Sequence, residues 1–284
     1  MRAGKVYWWG WLFIGLWGLT ITTRAAEVDR EPLTAVLGAM PDEVHLLESR
    51  LQGKQVAEHL GLKFFSGKLA GRPVVVAYTG IGKVNAAMTT TLVLDHYHPT
   101  EVLFTGVAGG INTNLGPGDI VLGARVAQHD FGEVSDQTFQ TNPTANPVTR
   151  QPNPLFFAGA DRLLAAAETA AGGVQWESLT TSQGRRTPRV QRGVIVTGDV
   201  FVASPTKCAE LRKKFQADAV EMEGGAVAQV CAQQGVPYLV IRSLSDRADT
   251  MANLDFKKFF HTAAANSAHL TEAILRQLAA GTAP

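Results

Sequence analysis

Short runs of consecutive apolar residues alternate along this chain with stretches whose apolar positions recur every three or four residues. The runs predict buried strands at LTAVLGAM (33–40), RPVVVAYTG (72–80), EVLFTGVAGG (101–110) and DIVLGARVAQ (119–128). Further strands are predicted within RRTPRVQRGVIVTGD (185–199), at DAVEME (218–223) and at PYLVIRSLSD (237–246). The periodic stretches predict helices at DEVHLLESRL (42–51), GKVNAAMTTTLVLDHY (82–97) and LLAAAETAA (163–171). SPTKCAELRKKF (204–215) is opened by Ser204 and Pro205, GGAVAQVCAQQG (224–235) follows, and the last long helix covers 254–280. NPTANPVTRQPNP (142–154), rich in Pro, Asn and Thr, reads as a surface loop. No internal repeat is visible. Val-, Ile- and Leu-rich strands alternating with helices predict a layered α/β domain with a mostly parallel sheet over 33–280.

The first residues break this pattern. Arg2 and Lys5 precede a charge-free run from Val6 to Thr23, and Thr23-Arg24-Ala25 offers a small-residue cleavage site. This predicts a secretory signal peptide over 1–25. The competing reading is an uncleaved anchor, because ~18 apolar residues can just span a bilayer. Gly10, Gly15 and Gly18 interrupt the run and favour the signal. Either way the body of the protein is expected outside the cytoplasm, in the periplasm, with membrane contact only through this segment if it is retained.

Composition narrows the function classes. The 284 residues are 45% hydrophobic and 18% charged, with a formal net charge of +1. That suits one globular domain with a substantial core and leaves no basic footprint for nucleic acid. Cys208 and Cys231 read as two small buried apolar side chains rather than a disulfide framework, and no Cys/His spacing suits a metal.

In a layered α/β domain ligands bind beyond the carboxyl ends of the strands, so polar residues just after strands carry the functional signal. The first such end is GAMPDEV, with Met40 before Asp42 and Glu43; acids there also suit a helix N-terminus. The second, FTGVAGGIN, holds Ala108 and Gly109 in a glycine-rich turn where backbone can approach a ligand. The third, VTGDVFVAS, presents Phe201 and Val202; a phenyl ring could stack on an aromatic ligand or belong to the core. The fourth, VIRSLSDRAD, carries Arg242, Ser245 and Asp246; the acid is either a helix cap or an acid/base group, and spacing does not choose. The densest signal is ADAVEMEGGAVAQV, where Glu221 and Glu223 flank Met222 inside an apolar run. Burying a charge is costly unless it is paired. In an extended strand the two acids share a face, where they suit a ligand rich in hydroxyl donors, such as a ribose; the alternative is a salt bridge to a helix-borne Arg or Lys.

Taken together, GAMPDEV, TGIGKVNAA, TGVAGGIN…GDIV, TGDVFVAS, VEMEGGAVAQV and RSLSDRAD resemble, in order, the motifs of the 5′-methylthioadenosine/S-adenosylhomocysteine nucleosidases of the purine nucleoside phosphorylase superfamily. The resemblance spans about 33–280 and is weakest between about 131 and 189. It implies a three-layer sandwich with a central mixed, mostly parallel twisted sheet flanked by helices, a homodimer, and hydrolysis of an adenine N-glycosidic bond in a small purine nucleoside without any cofactor. Residue by residue, it implies that Glu43 activates water, Asp246 protonates adenine N7, and Arg242 lies close to the water. Glu223 would accept from the ribose hydroxyls with Met222 under the sugar, Phe201 would stack on the purine, and the Val202 backbone would read its amino edge. Met40, Ala108, Gly109, Glu221 and Ser245 complete the candidate substrate-binding set. Such chemistry needs an acid at the leaving group and a base on the opposite face. One departure stands out: Val107 occupies a position where these nucleosidases often carry serine. A phosphorylase is the nearest rival, yet Pro41, Asp42 and Glu43 stand where an anion would need a cation. A non-catalytic nucleoside-binding protein is the second, and the presence of both Glu43 and Asp246 argues against it.

Overall fold

Alternate residues of the central strands enter two different cores, which fixes the layering. Leu37, Val75, Val102, Phe104, Val121 and Val240 pack with Ala86, Val93, Val227 and Cys231. Their strand neighbours Val36, Val74, Val76, Leu103, Ile120, Leu122, Leu239 and Ile241 pack with Leu47, Leu163, Leu164, Ile274 and Leu275. A strand sends successive side chains to opposite faces, so strands that are apolar throughout must be covered on both sides. The computed structural model describes residues 31–181 and 184–281; the predicted signal segment lies outside them.

In chain order the elements are β1 (Thr34–Gly38), α1 (Pro41–Ser49), β2 (Gln52–His59), β3 (Leu62–Leu69), β4 (Arg72–Tyr78), α2 (Lys83–Tyr97), β5 (Glu101–Gly110) and β6 (Ile120–Gln128). There follow β7 (Gly132–Val134), β8 (Phe139–Thr141), β9 (Phe157–Ala158), α3 (Asp161–Ala171), β10 (Leu179–Thr181), β11 (Gly184–Arg186) and β12 (Val190–Thr197). The chain ends with α4 (Pro205–Phe215), β13 (Ala219–Glu221), α5 (Gly224–Gln234), β14 (Tyr238–Asp246) and α6 (Ala252–Ala280). The main sheet runs β13-β12-β6-β14-β5-β1-β4-β3-β2. Helices α2 and α5 cover one face, and α1, α3 and α6 the other, so the predicted three-layer sandwich is observed.

The sheet is parallel where β14, β5, β1 and β4 lie side by side. It is antiparallel in the β2-β3-β4 meander and where β14 meets β6. The β2-β3 pair is absent from the sequence reading because β2 is exposed along almost its whole length and shows no apolar alternation. β13 pairs with β12 in parallel and also with Gly109 and Gly110 of β5 in antiparallel. That second ladder draws the carboxyl ends of β5, β12, β13 and β14 around one point. Ser204 caps α4 by accepting from the Lys207 backbone, as its position before Pro205 predicts. Cys208 and Cys231 are both free, Cys231 within the core. Among the described residues no helix is long and apolar enough to cross a membrane.

Candidate active site

The point on which these strand ends converge is a cavity of about 390 Å3, within the range of small-molecule sites. Glu43 and Asp246 both line it, although they come from opposite ends of the sequence. So do Met40, Ala108, Gly109, Phe201, Glu221, Met222, Glu223 and Ser245. Val202 instead lines a small adjoining recess that it shares with Phe201, Gly109 and Asp246. Arg242 stands behind the wall, fully buried.

Glu43 sits in the first turn of α1, and its carboxylate is gripped by backbone. Oε2 accepts from the N–H groups of Ala39 (2.6 Å) and Met40 (2.9 Å), and Oε1 from that of Val107 (3.0 Å). The acid therefore does close the start of α1, but it also reaches across to β5 and into the cavity. Burial pushes its pKa up, against the Arg242 charge and those three N–H groups. Gly106 explains how the side chains meet: a Cβ there would lie 2.3 Å from Nη1 of Arg242 and 2.4 Å from Oε1 of Glu43. The glycine-rich turn thus makes room for protein side chains as well as for any ligand.

Asp246 closes β14. Its Oδ1 accepts from the Ala248 backbone (2.7 Å) and its Oδ2 from the Ser245 hydroxyl (2.8 Å). It caps no helix, since α6 begins at Ala252. Burial raises its pKa, opposed by those two hydrogen bonds and reinforced by Asp255 and Asp249.

The two glutamates of β13 part company. The strand ends at Glu221, whose Oε2 accepts from the backbone of Glu223 (3.1 Å) and Gly224 (2.6 Å) and from Nη2 of Arg242 (2.7 Å). Its other oxygen accepts from the Thr197 hydroxyl. Glu221 therefore lines the wall with its carboxylate committed to protein donors, which corrects the expectation of two acceptors on one strand face for one ligand. The countercharge is Arg242, borne by a strand rather than a helix. Glu223 lies past the turn as the residue preceding α5 (φ −136°, ψ −38°). Its Oε1 accepts from Gly82 (2.8 Å), which holds a positive φ of 96° that a side chain would disfavour, and its Oε2 stands 3.6 Å from Nη2 of Arg242. Burial and the neighbouring Glu221 charge push the Glu223 pKa up to about 8.

Arg242 is the hub of these acids. Burial works against its charge, but Glu221, Glu43 and Glu223 more than offset that, and its ring neighbour Phe104 lies 4.1 Å beneath the guanidinium. Its Nη1 is buried with no hydrogen-bond partner among the described residues. A fully desolvated donor of this kind is costly unless something accepts from it.

Sequence reasoning missed part of the cavity. Ile81, Asn253, Phe256 and Lys257 also line it. Ile81 was within reach, because it sits inside the quoted TGIGKVNAA motif. Phe256 packs edge-on against Phe201, with ring centroids 6.1 Å apart, a contact between distant segments that no local pattern announces. Among the described residues no group of His, Cys, Asp and Glu is arranged to hold a metal ion.

The chain is similar to known proteins over most of its length. The family model described as the phosphorylase superfamily matches residues 34–276. A 5′-methylthioadenosine/S-adenosylhomocysteine nucleosidase of Bacillus thuringiensis (strain Al Hakam) is 37% identical over 245 residues, covering 86% of this chain and 98% of the relative. Among solved structures, the nucleosidase of that name from Neisseria meningitidis, in complex with methylthio-immucillin-A, is 36% identical with a TM-score of 0.73, covering 86% and 98% of the two chains. Futalosine hydrolase of Helicobacter pylori is 32% identical, also with a TM-score of 0.73, covering 86% and 97%.

Proposed function

The chain belongs to the 5′-methylthioadenosine/S-adenosylhomocysteine nucleosidase family of the phosphorylase superfamily, and from that premise we propose that it hydrolyses the N-glycosidic bond of adenine nucleosides carrying a 5′-thio substituent, releasing adenine. The observation that carries the reading is the sharing of one cavity by Glu43 and Asp246, two buried acids held by different hydrogen-bond sets.

In this mechanism Asp246 protonates N7 of the departing adenine. Burial raises its pKa, which suits a proton donor; burial raises that of Glu43 as well, but there the Arg242 charge and three backbone N–H groups favour the ionised form that a base needs. Glu43 takes a proton from water attacking the opposite face of the sugar. Arg242, close to Glu43 across Gly106 but behind the cavity wall, acts on that step through its charge, which favours the ionised form of Glu43. Glu223 meets the ribose hydroxyls, with Met222 packed under the sugar, Phe201 against the purine ring and the Val202 backbone at its amino edge. Positive charge developing on the sugar is stabilised by the acids around it. Glu221 holds Arg242 in place rather than touching the sugar.

Hydrolysis is favoured over phosphorolysis by the donors already taken. Phosphate needs cationic or amide donors, whereas the N–H groups of Ala39, Met40 and Val107 are given to Glu43 and the Arg242 guanidinium is paired with Glu221. We further propose an exported, periplasmic enzyme acting in nucleoside salvage, supported by the charge pattern of residues 1–25, and a homodimer, supported by exposed Ile81, Val84, Met88 and Phe201 around the cavity mouth and the adjoining α2. Release of the purine base from methylthioadenosine, S-adenosylhomocysteine, deoxyadenosine and inosine (adenine from the first three, hypoxanthine from the last), measured with and without phosphate, tests the reading. The expected result is phosphate-independent turnover of the 5′-thio adenine nucleosides; strict phosphate dependence, or no release from any of them, would overturn it.

A further inference from the structure

The cavity changes character from floor to mouth. At its floor Glu43, Asp246 and Glu223 are 1%, 2% and 5% exposed. At its mouth Ile81, Phe201, Asn253 and Lys257 are exposed in the single chain, Ile81 and Phe201 on the face put forward above for the dimer contact. Asn253, Phe256 and Lys257 come from the first two turns of α6, where residues three and four apart share a face. That face supplies one side of the opening, with Phe256 against Phe201 as its apolar part.

Lys257 is the cation of this opening. The next residue, Lys258, lies over the Phe259 ring. Lys257 makes no ion pair, side-chain hydrogen bond or ring contact among the described residues, although it lines the same cavity as Glu43, Glu221, Glu223 and Asp246. An anionic group entering a cavity with the Glu43 carboxylate at its floor gains most from a cation that meets it at the entrance. Arg242 balances the acids at the floor, and its charge is already shared among three of them.

We propose that Lys257, with Asn253 beside it, is a specificity-determining residue that favours nucleosides whose 5′ substituent ends in a carboxylate over those ending in a neutral group. The inference rests on the hydrolytic reading above. With the scissile bond between Glu43 and Asp246 and the ribose hydroxyls at Glu223, the 5′ carbon is the position from which a nucleoside can extend to the mouth. An apolar substituent would be served by Met40, Ile81 and Phe256, and gains nothing from an ammonium group. A terminal carboxylate gains a partner, and Asn253 offers an amide donor one turn away.

The test uses an isosteric pair, 5′-deoxy-5′-(3-carboxypropylthio)adenosine and its primary amide, which differ in charge and hardly in shape. The readout is the ratio of kcat/KM for acid over amide, taken within each variant. For a rim-exposed ion pair the ratio is expected at about 3 to 5 in the native enzyme at low salt. It should fall to about 1 or below in Lys257→Ala, drop further in Lys257→Glu, be retained in Lys257→Arg, and shrink toward 1 as ionic strength rises. A native ratio of 1, or a ratio indifferent to Lys257→Ala and Lys257→Glu, would overturn the proposal. Absence of adenine release from both compounds would instead overturn the hydrolytic reading. The same ratio taken on Kd by calorimetry then decides the role of Lys257 independently.

Discussion

Replacing Arg242 by methionine is the perturbation whose size the structure specifies best. The guanidinium is fully buried, 2.7 Å from Glu221 and 3.6 Å from Glu223, with Glu43 close by. Methionine is a reasonable match in length, so little of the effect comes from lost volume. What remains is a set of buried carboxyls without a countercharge. Removing one partner of a buried ion pair typically costs about 3–5 kcal/mol. Part of that is relieved by protonation, because without Arg242 the folded-state pKa values of these carboxyls rise further. A raised folded pKa leaves the variant penalised at high pH and spares it as pH falls below that pKa. The expected loss in Arg242→Met is therefore about 3 kcal/mol at pH 8, and clearly smaller at pH 5.5. At roughly 2–4 °C per kcal/mol for a domain of this size, the midpoint should drop by about 6–12 °C at pH 8. Differential scanning calorimetry and urea titration at the two pH values measure it. The double variant Glu221→Gln/Arg242→Met, which removes the charge on both sides, should be less destabilised than the sum of the single variants. A loss below about 1 kcal/mol, an equal loss at both pH values, or strict additivity would refute the assignment of Arg242 as the hub.

Glu223 carries a pH signature of its own. With its ordinary value near 4.5 and a folded value pushed up to about 8, the native state holds a proton that the unfolded chain has lost across that window, so stability must fall as pH rises through it. Measured against Glu223→Gln, which stays neutral, the native protein should lose relative stability between pH 5 and pH 8; a difference that stays flat with pH contradicts this. Val107→Ser exchanges apolar packing with Phe260, Ala263 and Ala264 for a hydroxyl close to Glu43, whose Oε1 accepts from the Val107 backbone. It should cost about 1–2 kcal/mol of stability by loss of apolar packing while raising kcat a few-fold by giving the attacking water another partner, and an unchanged or lower kcat in correctly folded protein would count against the water site proposed at Glu43.

The layered architecture was legible because both faces of β1, β4, β5 and β14 are covered, and such strands write themselves as unbroken apolar runs. The β2-β3 pair was illegible for the converse reason. It is largely exposed and its residues mix Gln, Lys, Glu and Gly, so its order comes from pairing with β4 and not from its own pattern. In the site, Asp246 and Glu43 stood out as acids where apolar strands end. The separate tasks of Glu221 and Glu223 did not, because they depend on a chain turn stabilised by Glu221 itself and on an arginine some twenty residues away. Lys257 and Asn253 were hidden in a helix whose sequence reads as ordinary amphipathic packing; only the approach of α6 to Phe201 turns that face toward the cavity.

The central claim is that Asp246 delivers a proton to the departing base, and the most direct measurement varies the need for that proton. Asp246→Asn keeps the size of the side chain and should lower kcat/KM on methylthioadenosine by about 10²–10⁴-fold. On a 5-methylthioriboside with 4-nitrophenolate as leaving group, which departs without protonation, the same variant should lose less than about tenfold, whereas Glu43→Gln should be impaired on both. Equal losses for Asp246→Asn on the two substrates would contradict the account.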